Sequence, residues 1–189
     1  ICGGILLEDT VPDLTVQDSI IDNQDGADII APGAEVHIKN STIWGQDDDL
    51  AAAPTMRVLH ASESIFNGRL LVERRQVGCV RFSVLPIDSR TPRRFRCQPN
   101  MALVDVSDAD EQQTIILRLR PQFTAMTYGH PAYGQLSQAC APEIRSGAED
   151  GSEMGVFSML KQPQREANLR VALEEYTPFG MQVGIFHVT

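Results

Sequence analysis

A short pattern returns three times in the first third of the chain. Residues 14–22 read LTVQDSIID, residues 36–45 read VHIKNSTIWG, and residues 58–68 read VLHASESIFNG. Superposing Ser19, Ser41 and Ser64 aligns three further features. Before each serine comes an alternating pair: Leu14 and Val16, Val36 and Ile38, Val58 with His60 in the second slot. Directly before it sits a polar residue: Asp18, Asn40 and Glu63. Two positions after it stands an apolar one: Ile21, Ile43 and Phe66. Turn formers follow at Asn23 and Gly26, at Gly45 and at Asn67-Gly68.

A fixed period restricts the fold more than composition does. One such unit cannot bury its inward face alone, so copies must stack and share a core. A period of 22 to 23 residues with two or three short strands has the size of one rung of a parallel β-helix. Rungs about 4.8 Å apart pair each strand's backbone with that of its neighbours. The expectation is a mainly β protein, a right-handed parallel β-helix over residues 1 to about 86. Its inward columns would be Leu14/Val36/Val58 and Val16/Ile38, and Ser19, Ser41 and Ser64 would form one further column. Leucine-rich repeats have a similar period, but their fixed asparagine and multiple leucines are missing. The piece ADIIAPG, 27–33, reads as an additional strand, and QDDDLAAAPT as a loop leaving one face.

The recurring serines have a chemical reading and an architectural one. No histidine or acid accompanies each of them in a nucleophile-like arrangement. Stacked Ser and Asn at corners do hydrogen-bond the bending backbone, so the architectural reading is preferred.

Beyond about residue 86 the period breaks at LPIDSRTPRRFRCQPN. The basic stretch SRTPRRFRC, 89–97, reads as a solvated loop in preference to an anion-binding patch, because the chain as a whole carries −9. Ser107 with Asp110 three residues on is the pattern of a helix cap, and a short helix follows that Pro121 ends. The stretch PQFTAMTYGHPAYGQLSQAC is turn-rich and strand-like. A helix is expected over 163–176, with Leu169, Leu173 and Tyr176 on one face and Pro178 and Gly180 stopping it. The alternation of Val183, Ile185 and His187 suggests a last strand, 181–188, that joins the sheet or covers an open end. Residues 87–189 would thus form a mixed α/β capping region.

Few residues point to chemistry. The negative charge argues against nucleic acid, whose phosphates need clustered Lys and Arg. No apolar run approaches the roughly 18 residues of a membrane span. Cys2, Cys79, Cys97 and Cys140 lie far apart with no CxxC pair, which reads as buried free thiols. SGAEDGSEMG, 146–155, places Glu149, Asp150 and Glu153 in a glycine-rich loop, a weak calcium candidate without EF-hand spacing. QDDDL, 46–50, reads as a solvated acidic loop. An enzymatic alternative is a β-helix polysaccharide lyase or glycoside hydrolase acting on acidic polysaccharide, with Asp18, Asp22, Asp47, Asp48 and Arg69 as sources of its acids and base. His37, His60, His130 and His187 are scattered, with no pair at metal-ligand spacing. There is no G-x-S-x-G elbow, and ICGGI lacks a phosphate-loop lysine. No catalytic residue and no cofactor is therefore expected.

Three segments carry a family likeness: VERRQVGCVRFSVLPIDSRTPRRFRCQPN, YGHPAYGQLSQACAPEIRSGAEDGSEMGVFSMLKQPQREANLR and FGMQVGIFHVT. They resemble the C-terminal region of large, mostly uncharacterised bacterial proteins with a right-handed parallel β-helix, associated with gene clusters for phage-tail-like contractile injection systems. The resemblance covers most of residues 64–189 and transfers no catalytic residue. It implies the terminal β-helix and cap of a larger structural or appendage protein, in a cytoplasmic assembly or on the cell exterior. Protein partners within that assembly are implied, with carbohydrate as a further ligand class and self-association allowed. Members of the family are several times longer, and the start at Ile1 fits a fragment.

Overall fold

The structure, a computed structural model, describes residues 1–23, 28–45 and 55–186. It contains one six-stranded and one three-stranded sheet together with three helices. All strand pairings within the two sheets are parallel.

The six-stranded sheet contains β1 (Ile5–Leu6), β2 (Asp13–Gln17), β4 (Ile29–Lys39), β6 (Met56–Ser62), β8 (Gly78–Arg81) and β9 (Arg94–Phe95). Its central strand β4 is long enough to pair with β1 near its start and with β2 over Glu35–Lys39. The smaller sheet contains β3 (Ile20–Ile21), β5 (Thr42–Ile43) and β7 (Ile65–Phe66), in that order. Single parallel bridges lengthen both sheets: Leu71 with Arg90, Ile65 with Val84, and Val84 with Gln98.

One corner recurs between the two sheets. Asp18, Asn40, Glu63, Phe82 and Arg96 all have φ between 47° and 53°. That left-handed region strains most L-residues, but Asn and Asp enter it more readily. A serine follows the first four, and its hydroxyl donates to the carbonyl two residues back: Ser19 to Gln17, Ser41 to Lys39, Ser64 to Ser62 and Ser83 to Arg81. Each hydroxyl oxygen beyond the first also accepts the preceding corner's N–H. Ser19 donates to Ser41 at 3.3 Å, Ser41 to Ser64 at 3.2 Å and Ser64 to Ser83 at 3.2 Å. Cys97 takes the fifth place, its thiol directed at the Phe95 carbonyl. The expected serine column is present and is two members longer than the repeat in the sequence showed.

The inward columns differ from expectation by one residue. Val36 pairs with Leu59, not Val58, and Ile38 pairs with Ala61. The Ser41-to-Ser64 interval is 23 residues, so the position five residues before the serine is Leu59. A slip of one residue exchanges the two faces of a strand, and His60 therefore points outward. Leu14, Val36 and Leu59 line one core with Ile21, Ile43, Phe66 and Val80. Val36, Leu59 and Val80 are completely buried there.

Parallel pairing continues past residue 86 to Gln98, and the interval between corners shortens to 19 and then to 14 residues, out of step with a period of 22 or 23. Within the basic stretch Arg94–Phe95 form β9 and Arg90 makes a single bridge, while Arg90, Arg93 and Arg96 remain exposed as expected of a solvated segment. Arg94 donates to Thr91, Asn100 and the Ser89 carbonyl. Arg96 lies 5.9 Å over the Phe82 ring and 5.7 Å over the Phe95 ring, a cation–π arrangement.

Residues 99–186 run along a flank of this stack. Helix α1 (Ala109–Arg118) is capped by Asp108, which accepts from the Glu111 N–H at 3.0 Å, one residue later than the expected Ser107. Gln112, Ile115, Ile116 and Leu119 form its inner face, the helical period that resolves this segment. Leu119 joins Ile65, Val84, Cys140, Ala141, Met154 and Ile144 of α2 (Pro142–Arg145) in a second core. Gly155, at φ +95°, lets this segment touch β5 and β7: an added Cβ would lie 2.8 Å from Thr42 and 2.9 Å from Ile65. Helix α3 (Gln162–Tyr176) matches the expected range but buries no residue, and Leu169 and Tyr176 are exposed. Residues 181–186 form no strand. Their alternation meets no partner edge among the described residues, and His187 lies outside these. Among the described residues no helix is long and apolar enough to cross a membrane.

Candidate functional site

Outward positions of the six-stranded sheet form two polar columns. One runs Thr15, His37, His60, Cys79, and the other Gln17, Lys39, Ser62, Arg81. Together they line a shallow groove of about 460 Å³. Because β2, β4, β6 and β8 are in parallel register, residues one repeat apart in sequence become neighbours. The offset from His37 to His60 is the same 23 residues that separates Ser41 from Ser64. Their pairing was therefore present in the sequence, but local spacing does not reveal it.

The two imidazoles stack with centroids 4.8 Å apart and planes 9° from parallel. Glu35 closes the pair from below, with its Oε1 3.3 Å from His37 Nε2 and 3.1 Å from His60 Nε2. Both Nε2 atoms thus meet one carboxylate oxygen, and among the described residues no group of three or more His, Cys, Asp or Glu is placed to hold a metal ion. Arg81 stands 3.8 Å from Glu149 in a pair exposed on both sides. Lys39 is exposed and has no partner among the described residues.

The calcium candidates do not come together. Glu149 faces Arg81, whereas Asp150 accepts from the Lys161 ammonium and from the Ser152 N–H at 2.9 Å. The Lys161 hydrogen bond holds the Asp150 carboxyl down at about 2. Burial pushes Glu153 up to about 7 in spite of Arg145 nearby. The three carboxylates thus serve three separate neighbours.

The enzymatic candidates are also dispersed. Asp18 occupies the first corner and accepts from the Asn40 amide at 3.2 Å. Arg69 lies 3.9 Å from Asp88. Asp47 and Asp48, with the rest of QDDDL, lie outside the described residues. Asp22 is buried and accepts the Tyr133 hydroxyl proton at 2.7 Å. Asp28, missed in the sequence, is its neighbour. Burial first, and the Asp22 charge with it, push the Asp28 carboxyl up to about 7, while the Asn23 N–H bond opposes this. Both acids are more than nine-tenths covered. Trp44 seals this corner edge-on against Phe123 and Tyr133, at 5.0 and 4.9 Å.

All four thiols are free: Cys97 and Cys140 are buried, Cys79 is half-buried and Cys2 is exposed. Burial raises the Cys97 and Cys140 thiols above the usual range, which makes them poor nucleophiles. Comparison with family models, with curated proteins and with solved structures found no match.

Proposed function

We propose that the chain is part of a right-handed parallel β-helix and serves as a non-enzymatic structural or binding module. On this reading it forms the C-terminal part of a larger bacterial tail-like or surface appendage protein. One observation carries the proposal: the five-membered corner, with positive φ at Asp18, Asn40, Glu63, Phe82 and Arg96 and a hydrogen-bonded column behind it. Such a ladder transmits its register from rung to rung and leaves flat outer faces for contact. The test is sedimentation of native particles from cells that make the full-length protein, with an antibody to this segment. Co-sedimentation with a large assembly is the expected outcome, and a signal confined to free protein would refute the reading.

The enzymatic alternative, a lyase or hydrolase of acidic polysaccharide, has one observation in its favour. Asp28, with its carboxyl up at about 7, adjoins Asp22, which accepts a hydrogen bond from Tyr133, and a carboxyl raised in this way can act as a general acid. Among the described residues no arginine pairs with either carboxylate. Incubation with acidic polysaccharides and calcium, following unsaturated products and new reducing ends, decides it. Turnover abolished by Asp28→Asn would displace the module reading.

A further inference from the structure

We propose that the groove over β2, β4, β6 and β8 binds a carboxylate-bearing polysaccharide, with Lys39 and Arg81 as its anion contacts. This deepens the module reading and rests on it. Lys39, Ser62 and Arg81 occupy one column in successive rungs. Lys39 and Arg81 are therefore two rungs apart, roughly 10 Å at the spacing of paired strands, about the length of one disaccharide. A chain with one acid per disaccharide would meet a cation at each end of that interval. The hydroxyl of Ser62 lies between them.

The histidine pair supplies a fixed wall beside this column. His37 and His60 are two residues before Lys39 and Ser62 on the same outward face. Their stacking and their shared contact with Glu35 hold both rings in place before a ligand arrives, so little side-chain freedom remains to be lost. Glu35 is directed at the histidines, at the other side of the wall from the cation column. Arg81 already meets a carboxylate, Glu149, at a loose 3.8 Å with both groups about half exposed. Such a pair is weak, and a ligand carboxylate can take the place of Glu149 on the guanidinium fork.

The charge pattern also selects the polymer. Duplex nucleic acid carries about one charge per 1.7 Å of axis, far denser than two cations two rungs apart. A sparsely charged saccharide matches that spacing.

Titration calorimetry of the protein with hyaluronan oligosaccharides, which carry one carboxylate per disaccharide, at low salt tests the proposal. Binding is expected that weakens as salt rises, with no heat from neutral dextran oligosaccharides. Lys39→Ala with Arg81→Ala should weaken it at least tenfold, Arg118→Ala should leave it unchanged, and Glu149→Gln should tighten it a few-fold by freeing Arg81. Circular dichroism and a melt of each variant check that the stack is intact. No binding by the wild type, full binding by the double variant with its fold intact, equal binding of poly-glutamate, or binding only of a sulfated chain would each overturn the assignment. Failure here with co-sedimentation preserved would remove the ligand and leave the module reading standing.

Discussion

The stack of residues 1–98 and the flank of residues 99–186 bury similar kinds of side chain by different means. In the stack, each strand is hydrogen-bonded along its length to the next, and Ile38, Ala61 and Val80 follow one another in a continuous core. In the flank, short helices and turns contribute isolated residues, such as Leu119, Ile144 and Met154, to a core whose other wall is Ile65 and Val84 of the stack. The flank thus completes its core with side chains of the stack. A repeat supplies its own neighbours, whereas an irregular segment needs a surface that is already built.

The strongest test of that dependence is a charge in the shared wall. Ile65→Asp should detach the flank and destabilise the whole chain, because a buried unpaired charge costs several kcal/mol. Hydrogen exchange should then show loss of protection in α1 and α2 before the stack opens. Ile144→Ala, by contrast, should cost about 2 to 5 kcal/mol locally and leave exchange in β4 and β6 slow. If both variants loosen the stack equally, the two regions are one cooperative unit.

Next in size is the corner. Ser64→Ala removes the acceptor of the Ser41 N–H and leaves the Ser62 carbonyl without its hydroxyl donor. A buried N–H left unpaired costs about 1 to 3 kcal/mol, read by chemical denaturation. Glu63→Gly should act in the opposite direction, relieving a left-handed residue by up to about 1 kcal/mol.

pH separates the regions more gently. Asp28 in the stack and Glu153 in the flank both have carboxyls raised to about 7. The folded chain holds these protons more tightly than the unfolded chain does, so their contribution is complete below about pH 4 and is lost as pH rises towards 7. Asp28→Asn and Glu153→Gln should each flatten the melting temperature over that window, the first in the stack and the second in the flank. Asp150 has the opposite sign: its lowered carboxyl favours the folded state above about pH 4, and this is lost as pH falls towards 2. The smallest effect belongs to Arg118→Ala, which opens an exposed two-pronged bridge to Glu143 and should cost below about 1 kcal/mol by thermal melting.

The same contrast sets how much could be read from the chain. Parallel pairing, the serine column and α3 were visible because each is written as a period. Ser83 and Cys97 escaped because their rungs are shorter, and Leu59 because alternation alone does not fix register. The groove was legible only through an offset of one rung, since His37 and His60 carry no local signal of each other. Nothing near Glu149, Asp150 and Glu153 in sequence showed that Arg81 and Lys161 would draw two of them apart. The Asp22–Asp28 pair and its Tyr133 partner depend on a contact across 111 residues, which no local pattern records.

The corner has one more consequence, for how such a chain can change length. Because Asn40 and Glu63 share a backbone conformation and are each followed by a serine with the same bonds, one corner is interchangeable with another. Excising residues 41–63 would join Asn40 directly to Ser64, and duplicating them would repeat the junction without creating a new one. The corner is a splice point, and the segment from one corner to the next is the unit in which such a chain can be shortened or extended by recombination.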